Sequence, residues 1–481
     1  MSYKKFTKDV GLLGLTQLIN VVSGLITLPI ITKFLGAENY GIWVQLMVTM
    51  GLVFTFATIQ LPQALVRFLP AQKDKKEIQD GIWSALILML GVLLITSFVL
   101  LFFSRPISQF LGAEQLFVII LTPIILFECV NFLLANVFRA FQETKKYCYL
   151  AIFQKITETT FVISAVFLGY GLIGAIISVL ITKIIFFIIM ISFVIKKIGI
   201  SLPRFLRTKE YLSFCLPLMP TDISYWITQS SDKYIIGFFL GTLFVGYYAP
   251  AYTLGCFIAF FMTPLNFLLP AILSKYHDEN ESEKVISYLE YSLKYFLLVS
   301  IPATFGLSIL SKQLLTTFST PQIAQNSYFV VPFITLGMVF FGAYTILSSV
   351  FWIKKKTNIG GIIWVFAGVI NIALNFLLVP RFGILGAAIT TFLAYLFVLV
   401  VGYYYCVKEL PLKIDWNTIL KSTIASTIMG IFVFWFNPRG LFQELIAVTV
   451  GVIIYGFLII ILGAITRQEL QLFKKIIQKE D

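Results

Sequence analysis

The chain has 481 residues, 59% of them hydrophobic and only 12% charged, with 36 Lys and Arg against 23 Asp and Glu. About a quarter of the residues in a soluble domain are charged, so this composition excludes a soluble core of this size: too little polar surface exists to cover it. The net charge of +13 does not mark a nucleic-acid binder, because the cations stand in short clusters between apolar runs. That is the pattern of a membrane protein with basic inner loops, whose surface partner is anionic lipid rather than RNA or DNA.

Apolar windows of the length that crosses a bilayer recur throughout. The first follows Lys4 and Lys5 and covers 10–31; it is too long for a signal-peptide core and lacks a small-x-small cleavage site, so it is expected to stay as a span. Further spans are expected over 40–62, 81–103, 116–138, 147–169 and 172–195. The next six are expected over 211–232, 245–271, 287–310, 327–352, 358–379 and 384–407, and two more over 417–436 and 441–465. The expected class is an all-α polytopic membrane protein of about 14 transmembrane helices, with aromatic residues (7 Trp, 22 Tyr and 48 Phe) at the headgroups.

The connections alternate in charge. One set, with the termini, carries 27 Lys and Arg and the other set carries 6, which places both termini in the cytoplasm and the chain in the cell membrane. No connection is long enough for a folded domain. There is no Gly-Lys dipeptide and hence no phosphate loop, which argues against ATP hydrolysis. With His277 as the only histidine and five cysteines in no CxxC pairing, neither a metal site nor a cofactor is expected. The cysteines read as small apolar core residues, and His277 as a solvated loop residue.

Two segments recur. Phe34-Leu35-Gly36-Ala37-Glu38-Asn39-Tyr40-Gly41 returns as Phe239-Leu240-Gly241-Thr242-Leu243-Phe244-Val245-Gly246, and Gly171-Leu172-Ile173-Gly174-Ala175 returns as Gly383-Ile384-Leu385-Gly386-Ala387. Each match falls at the same point of a six-span set. Six is even, so both sets enter the membrane from the same side, as parallel repeats do. The expected organisation is a six-helix bundle over 1–205, a second over 206–412, and two additional helices with a tail over 413–481. Two such bundles enclose a central cavity, and rocking one against the other opens it alternately to each side.

The string Thr32-Lys33-Phe34-Leu35-Gly36-Ala37-Glu38-Asn39-Tyr40-Gly41 resembles the first outer loop of Wzx-type polysaccharide flippases. Ser231-Asp232-Lys233-Tyr234-Ile235-Ile236-Gly237, followed by Gly246-Tyr247-Tyr248-Ala249-Pro250-Ala251-Tyr252, resembles the same family, part of the multidrug/oligosaccharidyl-lipid/polysaccharide exporter superfamily. The resemblance implies movement of a polyprenyl-(pyro)phosphate-linked oligosaccharide from the cytoplasmic to the outer leaflet, with glycosyltransferases of the same pathway as partners. It implies no enzyme activity.

Charges inside spans are costly and face a cavity or a partner. Glu128, Glu158, Lys183 and Asp222 each fall about a dozen residues into an expected span, near the bilayer midplane. Lys155 and Glu158 share a helix face. In a lipid-linked-sugar carrier, Lys155, Lys183 and Lys294 are the expected partners of the phosphates, with Arg67 and Arg139 at the cytoplasmic mouth. Glu128, Glu158 and Asp222 are the expected carriers of a coupling H⁺ or Na⁺, and Asp232 with Lys233 an expected helix-end or gate pair. The competing expectation is that Lys155–Glu158 is a structural ion pair and that Lys294 snorkels to the cytoplasm. Pro217 and Pro220 are expected to bend the seventh span beside Asp222. Two other functions fit the layout less well. A drug or cation antiporter of the same superfamily calls for an acidic lumen with few cations, and a membrane polymerase or glycosyltransferase calls for a sizeable catalytic loop.

Overall fold

The computed structural model describes residues 3–464. The side chains of Lys4, Lys5 and Lys8 and the basic tail at 467–479, all counted among the inner cations, lie outside the described residues. Among those described there are nineteen α-helices and no strand. In chain order they are α1 (Tyr3–Ala57), α2 (Leu61–Phe68), α3 (Lys75–Phe102), α4 (Ser104–Phe110), α5 (Gln115–Ala140), α6 (Thr144–Phe167) and α7 (Gly171–Ile198). Then follow α8 (Thr208–Cys215), α9 (Met219–Leu240), α10 (Thr242–Gly255), α11 (Ala259–Asp278), α12 (Ser282–Ile309), α13 (Ser311–Phe318) and α14 (Pro321–Ser327). The last five are α15 (Val330–Ile353), α16 (Thr357–Phe382), α17 (Ile384–Glu409), α18 (Trp416–Phe436) and α19 (Leu441–Ile461).

Twelve described helices are long and apolar enough to cross a membrane, against the fourteen spans expected. The difference has two sources. Gly36, at φ 79° and ψ 172°, breaks α1 into two helical pieces that join without a loop and count as one. The other source is α9, whose Asp222, Asp232 and Lys233 dilute its hydropathy. Short helices and turns (α2, α4, α8, α13 and α14) connect the long ones, where backbone groups reach water.

The chain forms two compact units: Met1–Ala249 with Trp364–Ala387, and Pro250–Ile363 with Ala388–Asp481. In the first, α5 is the most buried span and packs against α1, α2, α3 and α7, while α6 lies between α1 and α7. In the second, α15 is the most buried, and α12 packs on α11, α15 and α18, with α19 against α18.

The matched segments share backbone geometry. Gly36 and Gly241 have nearly the same torsions (φ 79°, ψ 172° and φ 91°, ψ 170°), in a region that only glycine occupies without strain. Gly171 and Gly383 match as well, at φ 64° and 61°. Within the first unit these segments touch each other reciprocally. A Cβ on Gly41 would collide with the Thr242 carbonyl, and a Cβ on Gly246 with the Ala37 carbonyl. Since Ala37 and Gly41 correspond to Thr242 and Gly246, the contact is self-complementary, as across a two-fold axis. From it, the second part of α1 runs along α9: Gly237 lies against Gln45, the Tyr234 hydroxyl donates to Thr49 Oγ1 (2.8 Å), and Gln60 donates to Asp222.

The loop between α7 and α8 is held to the start of α3. Buried Asp80 accepts the backbone N–H groups of Arg204, Phe205 (3.2 Å) and Leu206 (3.1 Å). Trp83 Nε1 donates to the Gly199 carbonyl (3.1 Å), and Gln79 donates to that of Ile198. Asp80→Ala strands the Arg204 and Leu206 donors beside a buried site, while the Phe205 N–H keeps Ser84 Oγ, at roughly 1–3 kcal/mol for an unsatisfied group. The expected outcome is a lower melting temperature and faster proteolysis within 199–207. Between the end of α5 and the start of α6, Glu143 is partly buried, which would raise its pKa, but hydrogen bonds from Lys197 and Lys146 outweigh this and hold it below the usual range. That tie is therefore present above the ordinary carboxylate pKa and is lost as acidification passes through the lowered value.

Candidate functional site

Three of the long helices of the first unit bring four charged groups together. Lys183, the thirteenth residue of α7, sits between Glu128 of α5 (2.8 Å) and Glu158 of α6 (2.7 Å). Glu158 also binds Lys155, one helical turn back on α6 (3.0 Å). The result is a chain of alternating charge, Glu128–Lys183–Glu158–Lys155, with zero net charge. Its interior members are the more buried: the Lys183 and Glu158 side chains are 7% and 17% exposed, the terminal Glu128 and Lys155 26% and 33%. Each inner group has two partners and each end has one, so the cluster is closed in the middle and open at both ends.

Sequence reasoning found all four residues but assigned the lysines to phosphate and the carboxylates to a coupling ion. The structure brings the two sets into contact. The reason is electrostatic: an isolated charge at this depth costs several kcal/mol, and opposite charges on adjacent helices cancel most of it. Asn131, one turn beyond Glu128, donates to the Lys183 carbonyl (2.9 Å), fixing α5 against α7. Its Oδ1, and Thr159 Oγ1 beside Glu158, are buried without a hydrogen-bond partner. The site therefore has spare polar capacity next to its ion pairs.

The other expected residues lie apart from this cluster or at different depths. Asp222 is not a dozen residues into a continuous helix. The run is broken by a 3₁₀ turn at Leu216–Leu218, where Pro217 and Pro220 withdraw backbone donors, so Asp222 falls in the first turn of α9. Lys294 belongs to the second unit and lines a small pocket with Glu290, Lys413 and Asp415, the last being the N-cap of α18. The 28-residue α12 spans about 42 Å, more than the apolar core of a bilayer, and Lys294 is its thirteenth residue. Arg67 stacks over Phe214 (5.3 Å), and Arg139 donates to Asn136 (2.9 Å) and lies over Tyr147.

Asp232 and Lys233 form a compact knot. Asp232 Oδ1 accepts from Lys233 Nζ (2.9 Å) and Oδ2 accepts from the Tyr248 hydroxyl (2.6 Å), while Lys233 Nζ also donates to the Gln229 carbonyl (3.0 Å). Beside it, Asn371 accepts from Ser231 (3.0 Å) and from Asn375 (3.0 Å). Both asparagines are fully buried, and Asn371 Nδ2 and Asn375 Oδ1 have no hydrogen-bond partner. Sequence reasoning missed this pair, although two amides four residues apart in an apolar run were a readable signal. No group of three or more His, Cys, Asp or Glu suited to a metal occurs among the described residues. The second unit carries an apolar groove of about 400 Å³ between α11, α12, α18 and α19, lined by Phe261, Pro302, Met429 and Tyr455 among others.

The family model described as "Polysaccharide biosynthesis protein" matches residues 6–273, more than half of the chain. The chain belongs to that family. Membership agrees with the resemblance to Wzx-type flippases carried by the Phe34–Gly41 and Ser231–Tyr252 segments. A second model, "Lipid II flippase MurJ", matches residues 241–456. Among curated proteins, the "Probable low-salt glycan biosynthesis flippase Agl15" of Haloferax volcanii is 23% identical over 430 residues, covering 88% of each chain. Among solved structures, "Lipid II flippase MurJ, inward closed conformation" superposes with a TM-score of 0.78 at 20% identity, covering 93% of this chain and 98% of that one. An inward-facing multidrug resistance MATE family transporter of the MOP superfamily follows at 0.65 and 15% identity, with 81% and 93% covered. The polysaccharide biosynthesis family thus meets a MurJ- and MATE-like all-helical membrane fold in this chain.

Proposed function

We propose that this chain is a flippase that carries a polyprenyl-(pyro)phosphate-linked oligosaccharide from the cytoplasmic to the outer leaflet of the cell membrane for surface polysaccharide synthesis. It works by alternating access of two like-oriented bundles, 1–205 and 206–412, with both termini in the cytoplasm. The observation that carries this reading is the Glu128–Lys183–Glu158–Lys155 chain, which joins three apolar, membrane-length helices in a member of the polysaccharide biosynthesis family.

A diphosphate entering an apolar bilayer needs cations, because bringing it there bare costs far more than any sugar contact returns. The cluster stores two cations without leaving either unpaired. In the empty carrier Glu128 and Glu158 neutralise them. An arriving diphosphate engages Lys155 first, since it is the more exposed, and then competes with Glu128 for Lys183. A carboxylate displaced from its lysine in this setting takes up a proton, since an unpaired buried charge is the costliest state available. Proton uptake is thereby tied to substrate binding, and release to the outer side returns the lysines to their carboxylates. The prenyl chain stays in apolar surroundings throughout, and the groove lined by Phe261, Pro302, Met429 and Tyr455 is chemically suited to it.

The test uses the purified protein in vesicles carrying a fluorescent polyprenyl diphosphate oligosaccharide, with a membrane-impermeant reductant reading the exposed fraction. Flippase activity predicts that all of the label becomes reducible, against about half in protein-free vesicles. Unchanged protection, together with drug efflux in cells, would move the assignment to an antiporter.

A further inference from the structure

The loop between α7 and α8 carries large apolar side chains that nothing among the described residues covers. Ile200 is 73% exposed, Leu202 89% and Leu206 66%. They do not belong to any helix, so the lipid-facing sides of the spans do not account for them. Exposed Lys196, Arg204 and Lys209 stand among them. The loop cannot turn these side chains inward, because its backbone is fixed from the protein side. Asp80 holds the N–H groups of Arg204, Phe205 and Leu206, Trp83 holds the Gly199 carbonyl, and Phe205 is locked at φ 57°.

We propose that the 199–207 loop is a built interfacial anchor that inserts Ile200, Leu202 and Leu206 among the anionic phospholipids of the leaflet at the inner end of α7. Three observations converge on that partner. The loop continues directly from α7, an apolar helix long enough to cross the bilayer, so its first residues emerge at headgroup level. Apolar tips interleaved with exposed cations match a surface that is greasy below and negative above. The rigid backbone removes most of the ordering cost of insertion. This assignment is independent of what the protein carries. The anchored segment is the link between the first six spans and the rest of the first unit, so it fixes that link at one depth in the membrane.

The experiment uses the full-length protein with Leu202→Cys labelled by an environment-sensitive fluorophore, with Ile200→Cys as a second probe. Four native cysteines are buried and Cys256 is half-buried, so the unsubstituted protein supplies the labelling blank. In vesicles containing phosphatidylglycerol, emission is expected to be blue-shifted and quenched by a phospholipid bearing a shallow nitroxide. Arg204→Glu with Lys209→Glu is expected to return the emission toward that of water, as about fivefold per basic residue in affinity for an anionic surface requires. A fluorophore quenched by aqueous iodide and not by the nitroxide lipid overturns the proposal and leaves the loop as a surface for a cytoplasmic protein. Equal insertion into neutral phosphatidylcholine vesicles, unchanged by charge reversal, overturns the assignment to anionic lipid.

Discussion

Lys183→Ala is expected to abolish transport and to destabilise the protein by about 3–5 kcal/mol, the usual cost of removing one partner of a buried ion pair. Lys183 is bound by Glu128 and Glu158 together. Its loss leaves Glu128 with no cation and Glu158 with only Lys155, so the damage exceeds that of removing either end of the chain. Stability and transport are separable here. Lys183→Met combined with Glu128→Gln deletes one charge of each sign and leaves the Glu158–Lys155 pair intact. That double variant is expected to regain most of the thermal stability while remaining unable to support transport. Thermal unfolding in detergent and the vesicle assay read the two properties independently. Normal transport by the stable double variant would show that Lys183 serves only to hold α5, α6 and α7 together.

The second large effect is expected at the paired glycines. Gly246→Ala places a methyl group against the Ala37 carbonyl, and Gly41→Ala places one against the Thr242 carbonyl. Backbone oxygen cannot swing aside as a side chain can, so each substitution should cost about 1–3 kcal/mol, as overpacking does. The contact is reciprocal, which makes a sharper claim. Once one methyl has pried the segments apart, the second enters space already opened, and the double variant should cost clearly less than the sum of the singles. Additive costs in melting experiments would mean that the two glycines sit in separate contacts. Transport should fall in all three variants, because this contact joins the two matched glycine segments.

Much of the architecture was legible because hydropathy reports span length directly. Both pieces of α1 on either side of Gly36 and the charged α9 fall on spans expected from the sequence, but the loop-free join at Gly36 and the late start of α9 at Met219 do not show in a twenty-residue average. The Lys155–Glu158 pair was readable from its spacing, since three residues along a helix is a contact whatever surrounds it. The bonds from Lys183 to Glu128 and Glu158 were not, because no periodicity states which helices become neighbours. Depth was misjudged where a helix start was: Asp222 opens α9 because the prolines interrupt the run. The Asn371–Asn375 pair was overlooked for another reason. Uncharged amides do not disturb a charge count, although each is as hard to bury unpaired as many a charged group is to bury paired.

The alternating charge chain also constrains how the polypeptide is made. The ribosome delivers α5 first, then α6, and the cation that neutralises Glu128 arrives only with α7. While it waits, α6 can insert with its own lysine folded back on its own carboxylate, but α5 has no such internal remedy. Until α7 emerges, α5 carries a carboxylate without a cation, at roughly 2.5–3.5 kcal/mol near a bilayer centre, and a chain ending after α6 never gains the Lys183 partner.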